Sequence, residues 1–355
     1  MAAAPYYLGY LILPSVVIGQ QIGGIATFMI VALMFGLVPL IDPLFGRARA
    51  DTTPESATAA PSSFGHRVAT ALWLPIQIGL LVWLVIEFAN VTPTPLEFAG
   101  LVLSMGIAAG AMGIALGHEL MHREGWIERL MADALMIMVS YHHFCIEHVH
   151  GHHRRLATPE DPATAREGES LYRFFPRVVV TGFLSALELE AARLRRRGKG
   201  WFHIRNRVLV GAGATLATHA LVLAFAGWQA FVFLLAMGLV AVLLLETVNY
   251  IEHYGLMRRS IGADRYEAVT EQHSWDARER LTNWILFNLE RHADHHVRAS
   301  VAFPYLVLRE GAPLLPAGYP TLIWVALIPP LWFKIMNPRV EAWRAAQPSL
   351  AVASG

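Results

Sequence analysis

Apolar residues fall into long uninterrupted runs along this chain, parted by short polar breaks. The first runs are residues 6–22, 26–41 (stopped by Asp42-Pro43), 68–88 and 96–117. After a long polar stretch come two more, 208–225 and 229–250. Each approaches the roughly 20 residues that a helix needs to cross a bilayer. The pattern predicts an all-α integral membrane bundle of about six transmembrane helices. Spans at 6–117 and 208–250 would carry polar segments 118–207 and 251–344 in one domain, with 345–355 as a flexible tail. The Ala-, Thr-, Pro- and Ser-rich segment 47–63 reads as a loop.

Charge gives the bundle a direction. The turns at Gly23-Gly24, 90–95 and 226–228 carry no Lys or Arg, whereas the alternate connections carry many. Arg47, Arg49 and Arg67 lie in one of these, Arg154, Arg155, Arg166, Arg193 and Arg195 to Arg197 in the next, and Arg258, Arg259 and Arg265 after the last run. The positive-inside rule places these segments, and both termini, on the cytoplasmic side of the inner membrane. No basic stretch precedes the first apolar run, so a cleaved leader is not expected. The 55% hydrophobic content agrees with a membrane protein, as does the mean hydropathy of +0.43. A net charge of +1 says little about partners, and no nucleic-acid partner is expected. The one cysteine, Cys145, excludes an internal disulfide framework or a four-thiolate metal site and reads as a small buried hydrophobe.

Histidine changes the picture. There are 16, most of them in four short clusters. His118-Glu119-x-x-His122 sits where the fourth run ends. Glu147-His148-x-x-Gly151-His152-His153 follows in the polar stretch. His253 lies in Asn249-Tyr250-x-Glu252-His253-Tyr254-Gly255, and the fourth cluster is His292-x-Asp294-His295-His296. Residues i and i+4 share a helix face, so His118 with His122, and His148 with His152, are expected to reach one ion pairwise. All four clusters fall on the predicted cytoplasmic side and can converge there. One ion needs only three or four ligands, so nine spaced histidines suggest two metals. Imidazole suits Fe, Zn, Cu or Ni, and spacing does not choose among them. Glu119, Glu147, Glu252 and Asp294 adjoin these histidines and are expected to accept N–H bonds from ligand imidazoles of other segments.

Together these motifs resemble those of membrane alkane 1-monooxygenases, within the histidine-box fatty-acid desaturase and hydroxylase superfamily. Ala157-Thr158-Pro159-Glu160-Asp161-Pro162-Ala163 and His273-Ser274-Trp275 are similar too, and the Asn249–Gly255 box favours hydrocarbon hydroxylases over desaturases. The resemblance implies two non-haem irons held by His118, His122, His148, His152, His153, His253, His292, His295 and His296. His150 falls at a variable position, His142, His143 and His273 are reserves, and His273 is a candidate supporting residue. His66, His203 and His219 receive no role. The implied reaction hydroxylates the end of a medium-chain alkane with O₂ and two electrons. An unactivated C–H bond offers no acidity to exploit, which fits O₂ chemistry at a metal.

The chain offers no electron carrier of its own: one cysteine cannot hold an iron–sulfur centre, and no Gly-rich dinucleotide fingerprint is present. The resemblance implies a rubredoxin, separate or fused beyond the C-terminus, reduced by an NAD(P)H-dependent reductase. Such acidic carriers would suit Arg195, Arg196, Arg197 and Lys199, unless these charges only set topology and touch anionic lipid. Substrate is expected to arrive laterally through an apolar tunnel, with Phe28, Met34, Trp73, Trp83 and Met105 as candidate lining. Three other readings stand beside this one: a histidine-box enzyme acting on another hydrocarbon or acyl chain, a zinc peptidase using Glu119 as general base, and a haem-binding or metal-transporting protein.

Overall fold

The computed structural model describes residues 2–50, 63–262 and 265–347. Most of the predicted 47–63 loop and of the 345–355 tail therefore lies outside the described residues. All six apolar runs are helical. A 3₁₀ stretch, Ala4–Leu11, leads into α1 (Ile12–Ile22). Then come α2 (Gly24–Phe45), α3 (Phe64–Asn90) and α4 (Pro95–Met121), each long and apolar enough to cross a membrane. Helix is what this composition requires: without water, only an intra-segment ladder satisfies the backbone N–H and C=O groups.

The last two apolar runs form one assigned helix, α8 (Arg207–His253), broken at Gly227, where φ is +80°. Glycine adopts that conformation without a Cβ penalty. The rings of His219 and Phe231 lie 5.9 Å apart across the break, whereas twelve residues of straight helix would span about 18 Å. The chain therefore folds back at Gly227 into two arms, 207–226 and 228–253, and the turn predicted at 226–228 is present. Large apolar side chains on the first arm stand exposed, Phe225 at 84%, as suits a lipid surrounding.

Central α4 positions the site. Its start is a capping box: Thr94 Oγ1 accepts from Glu97 N at 3.3 Å, and Glu97 Oε2 accepts from Thr94 N at 2.9 Å. Glu97 Oε1 also accepts from Gly24 N at 2.9 Å and so ties in the α1–α2 turn. Small residues let α8 approach closely. A Cβ on Gly106 would lie 2.5 Å from Val240 Cβ, so backbone nearly meets backbone, as membrane helices permit at such positions.

The polar half folds over one end of this bundle. It comprises α5 (Trp126–Met138), α6 (Phe144–Glu147), α7 (Leu171–Arg195), a two-stranded ribbon of β1 (Ser260–Gly262) and β2 (Arg265–Tyr266), α9 (Arg280–Ile285) and α10 (His292–Val297). Buried carboxylates pin it down. Asp42 accepts from Leu281 N at 3.1 Å and from the Thr282 hydroxyl. Glu190, paired with Arg193 on its own helix, joins α7 to α8 through Arg207. Burial opposes its ionisation, but those two guanidiniums outweigh burial and hold its carboxyl at about 2. A further apolar pair lies beyond the six predicted runs, α11 (Tyr319–Ala326) and α12 (Pro329–Ala346), with a bend of 119° between the two helices.

Candidate metal centre

Ordinary α geometry at the end of α4 sets His118 and His122 one turn apart, with ring centroids at 5.1 Å. The second box departs from that geometry. His148–His152 is a π turn, in which residues five apart, rather than four, come into line. His148 Nε2 therefore meets His153 Nε2 at 3.0 Å. His152 belongs elsewhere: its ring lies 4.8 Å from both His253 and His296. The expected pairing of His148 with His152 on one ion is thus replaced by a division of the box between two groups.

All nine predicted histidines gather, in two adjoining sets. His118, His122, His148, His153 and His295 form one, and His152, His253, His292 and His296 the other. Within each set the nearest donor atoms all lie within 4.8 Å of one another. α10 is divided like the π turn, sending His295 to the first set and His292 and His296 to the second. In the second set every ligand is buried, whereas His122 and His153 of the first are half-buried.

The donors fit cations. Nitrogen faces nitrogen throughout: His296 Nε2 and His292 Nε2 are 2.8 Å apart, His148 and His122 3.1 Å, and His295 and His153 3.2 Å. Burial, reinforced by the neighbouring imidazoles, holds His122, His148, His153, His292, His295 and His296 well below the usual histidine range. The rings are therefore neutral, each with one lone pair to offer. Nε2 of His118, in the first set, is buried without a hydrogen-bond partner. A metal ion in each set would take the converging lone pairs.

A carboxylate outside the predicted supporting set also bonds to one of the nine histidines. Asp161 accepts from His152 Nδ1, at 2.9 Å to Oδ2 and 3.1 Å to Oδ1. Burial opposes its charge, but His152 and the Thr164 hydroxyl hold its carboxyl low. Asp161 lies nine residues past its partner in a loop, so helical spacing gave no hint of it; only the resemblance of the Ala157–Ala163 stretch marked the segment.

The predicted supporting acids mostly serve arginines. Glu119 pairs with Arg123 at 2.9 Å and Glu147 with Arg155 at 2.9 Å. Asp294 accepts from Arg309 at 2.6 Å and also pairs with Arg298. Glu252 alone stands close to a ligand: its Oε2 is 3.2 Å from His292 Nε2, while Oε1 accepts from the Tyr319 hydroxyl at 2.7 Å. The His273 side chain bonds to Thr270 and Glu267, and its backbone bonds to the His253 imidazole. Gly151 is accounted for by the Glu147–Arg155 pair, since a Cβ there would lie 2.4 Å from Glu147 Oε1. Asp276, behind α10, accepts from Ala293 N at 2.7 Å and is pushed up to about 8 by burial.

The remaining candidates lie apart from both sets. His150 meets Arg207 at 3.3 Å, His142 meets Asp133 at 3.0 Å, and His143 packs on Tyr141. Cys145 is half-buried, with its thiol pushed well up by burial. Arg195, Arg196 and Arg197 are exposed on the α7–α8 connection, and Lys199 bonds to His203 at 3.1 Å. Phe202 and Ile204 stand out beside them, 89% and 80% exposed.

A helical bundle that crosses the membrane and gathers histidine boxes at one end defines a class of metal-dependent membrane enzyme. The chain belongs to the fatty acid desaturase family, whose family model matches residues 92–325. Within it the resemblance to alkane 1-monooxygenases is extensive. The chain is 41% identical to alkane 1-monooxygenase 1 of Pseudomonas aeruginosa, over 90% of this chain and 84% of that one. It is 39% identical to alkane 1-monooxygenase 2 of the same organism, over 90% and 85%. Identity is 30% to the xylene/toluene monooxygenase hydroxylase component XylM of Pseudomonas putida, over 79% and 76%.

Proposed function

We propose that this chain is an O₂-dependent monooxygenase that hydroxylates the terminal carbon of medium-chain alkanes to primary alcohols. One observation carries the reading: an apolar pocket inside the bundle opens directly onto the histidines. His118, His148 and His292 share its wall with Met34, Ile107 and Ile114. Of the other tunnel candidates, Phe28, Trp73, Trp83 and Met105 do not line it. The relatives' names point to the same substrate class.

The nine histidines hold two irons, one in the five-histidine set and one in the four-histidine set. Bound iron supplies the one-electron and O₂ chemistry that an unactivated C–H bond demands. The chain supplies the rest. Its apolar wall excludes water and aims a chain end at the imidazole cluster. Asp161 fixes the tautomer and orientation of His152. Buried Asp161, held ionised by His152 and the Thr164 hydroxyl, sets negative charge beside a cationic centre. A zinc peptidase is disfavoured: Glu119, its required base, is occupied by Arg123.

In the cell the chain forms one domain of six spans in the inner membrane, with both termini and the metal centre cytoplasmic. The Arg-rich connections support that orientation. Rubredoxin, reduced by an NAD(P)H-dependent partner, delivers the two electrons and docks at Arg195, Arg196, Arg197 and Lys199. A second reading of that cluster has its own support, since exposed Phe202 and Ile204 beside the cations suit an anionic bilayer surface.

The test is metal and product analysis on purified protein. Wild type should hold two irons per chain and form 1-octanol from octane when given a reducing system. Replacing His118, His152, His253 or His295 by Ala should lower iron content and remove most activity. Full activity in two of these four variants would overturn the assignment.

A further inference from the structure

Two neighbouring residues shortly before α10 adopt a backbone that most side chains avoid: φ is +55° at Phe287 and +58° at Asn288. The pair closes α9. Asn288 N donates to Asn283 O at 2.7 Å, a helix ending in which the place of Phe287 usually belongs to glycine. Asparagine tolerates the left-handed region, whereas phenylalanine is strained there. Such strain persists only where the surroundings over-determine it. Three residues separate the pair from α10, whose imidazoles go to both histidine sets.

Part of what holds the pair comes from 282 residues earlier in the chain. The ring of Tyr6 stacks on Phe287 at 5.9 Å and meets Phe303 edge-on at 4.8 Å, and Phe303 closes on Phe287 at 5.1 Å. All three rings are buried. The Asn288 amide donates twice, to the Tyr6 hydroxyl and to Phe303 O, each at 2.8 Å. A carbonyl can only accept, so the amide nitrogen is fixed on this side. The 3₁₀ stretch that carries Tyr6 packs closely on the end of α9: a Cβ on Gly9 would lie 2.7 Å from Ile285 O. Phe287 in turn reaches the metal centre, lining a small recess with His118, Glu119 and His295.

We infer that Tyr6 is a positioning residue for the metal centre: its ring and hydroxyl clasp the left-handed pair 287–288 and so set how α10 presents His292, His295 and His296. The inference rests on the metal centre proposed above. Because α10 serves both sets, releasing the clasp should loosen both metals together, unlike the loss of Asp161, whose bond is to His152.

Three measurements on Tyr6→Phe test it, with Tyr7→Phe as the control. Each variant keeps its ring and loses one hydroxyl; that of Tyr7 donates to Gly65 O at 3.0 Å. The first measurement needs no metal. In metal-stripped protein, amide hydrogen exchange across 286–298 should rise about two- to tenfold in Tyr6→Phe, the scale of one lost hydrogen bond, while 118–122 and 148–153 keep wild-type rates. In the second, iron is withdrawn by graded chelator. Both iron midpoints should weaken together by a similar factor in Tyr6→Phe and stay at wild-type values in Tyr7→Phe, where the lost bond is merely structural. In the third, Tyr6→Phe is combined with Asn288→Gly. Glycine takes the left-handed backbone freely and has no amide to clasp, so Tyr6→Phe should add nothing in that background. Wild-type exchange at 286–298 in Tyr6→Phe, an equal iron loss in Tyr7→Phe, or additive losses with Asn288→Gly would overturn the inference. If wild type oxidises no alkane but Tyr6→Phe still releases both metals early, the clasp stands and the proposed reaction falls.

Discussion

Replacing Asp161 by Asn keeps the size of the side chain and removes the charge that faces His152. In the native loop both carboxylate oxygens are committed. Oδ1 accepts from Ala163 N at 3.1 Å, Oδ2 from the Thr164 hydroxyl, and both from His152 Nδ1. An amide nitrogen at either position sets donor against donor, and the site is buried, so no water can relieve it. Partners of this kind change metal affinity by about 10- to 100-fold, which corresponds to about 1.4–2.8 kcal/mol. Asp161 serves only the four-histidine set, so the loss should be unequal. Wild type and Asp161→Asn would be dialysed against graded chelator and the iron per chain measured. The variant should release one iron at about 10- to 100-fold weaker chelation and keep the other near the wild-type midpoint. Thr164→Val is the control. It breaks the loop bonds to Asp161 and Ala157 N, and should lower stability by about 0.5–1.5 kcal/mol with little effect on iron. A single unshifted midpoint in Asp161→Asn, or an equal shift in Thr164→Val, would refute the orienting role.

Three more outcomes are expected. Met34→Trp, in the inner pocket, should shift products toward shorter chains, read by gas chromatography across an alkane series; an unchanged profile removes Met34 from the substrate path. In metal-stripped protein, His122, His148, His153, His292, His295 and His296 resist protonation, whereas in the unfolded chain they take up protons near pH 6.5. The unfolded state then binds more protons, so stability falls as pH drops below that value; a thermal midpoint flat from pH 7.5 to 5.5 contradicts the neutral-imidazole assignment. An Arg195→Glu/Arg197→Glu double variant with normal iron should need more rubredoxin for half-maximal rate and lose much of its salt dependence, because exposed charges are screened beyond about 10 Å at 0.1 M. If carrier demand and salt slope match wild type, the cluster is a lipid contact.

The apolar runs and the nine histidines were legible because each obeys a local rule, span length for the first and box spacing for the second. What was not legible depends on departures from regular helix or on distant partners. The i, i+4 rule paired His148 with His152, but a π turn has more residues per turn, and His153 takes the place next to His148 instead. Acids adjacent to histidines were expected to orient them. A neighbour on a helix points about 100° away, and from there Glu119, Glu147 and Asp294 reach Arg123, Arg155 and Arg309. The residue that does hold an imidazole, Asp161, comes from a loop. The pocket wall supplied by Tyr319 and Ile323 comes from α11, which lies beyond the last apolar run counted as a span.

The division of two boxes between two sets has a consequence for any ligand variant. The five-histidine set draws on α4, the π turn and α10, and the four-histidine set on the π turn, α8 and α10. Neither set exists until these segments have met, so metal binds the folded state and not the unfolded chain, and its binding energy becomes folding energy. Because the π turn and α10 serve both sets, a substitution at either can loosen the partner ion without touching its ligands. Lost iron alone therefore does not identify a ligand. The informative comparison is between segments. His253→Ala, on α8, should cost the four-histidine set its iron first, and His122→Ala, at the C-cap of α4, the five-histidine set. Replacements at His148, in the π turn, or His295, on α10, should disturb both. If all four variants lose iron in the same order, the two sets act as one site and the division drawn from the π turn has no bearing on binding.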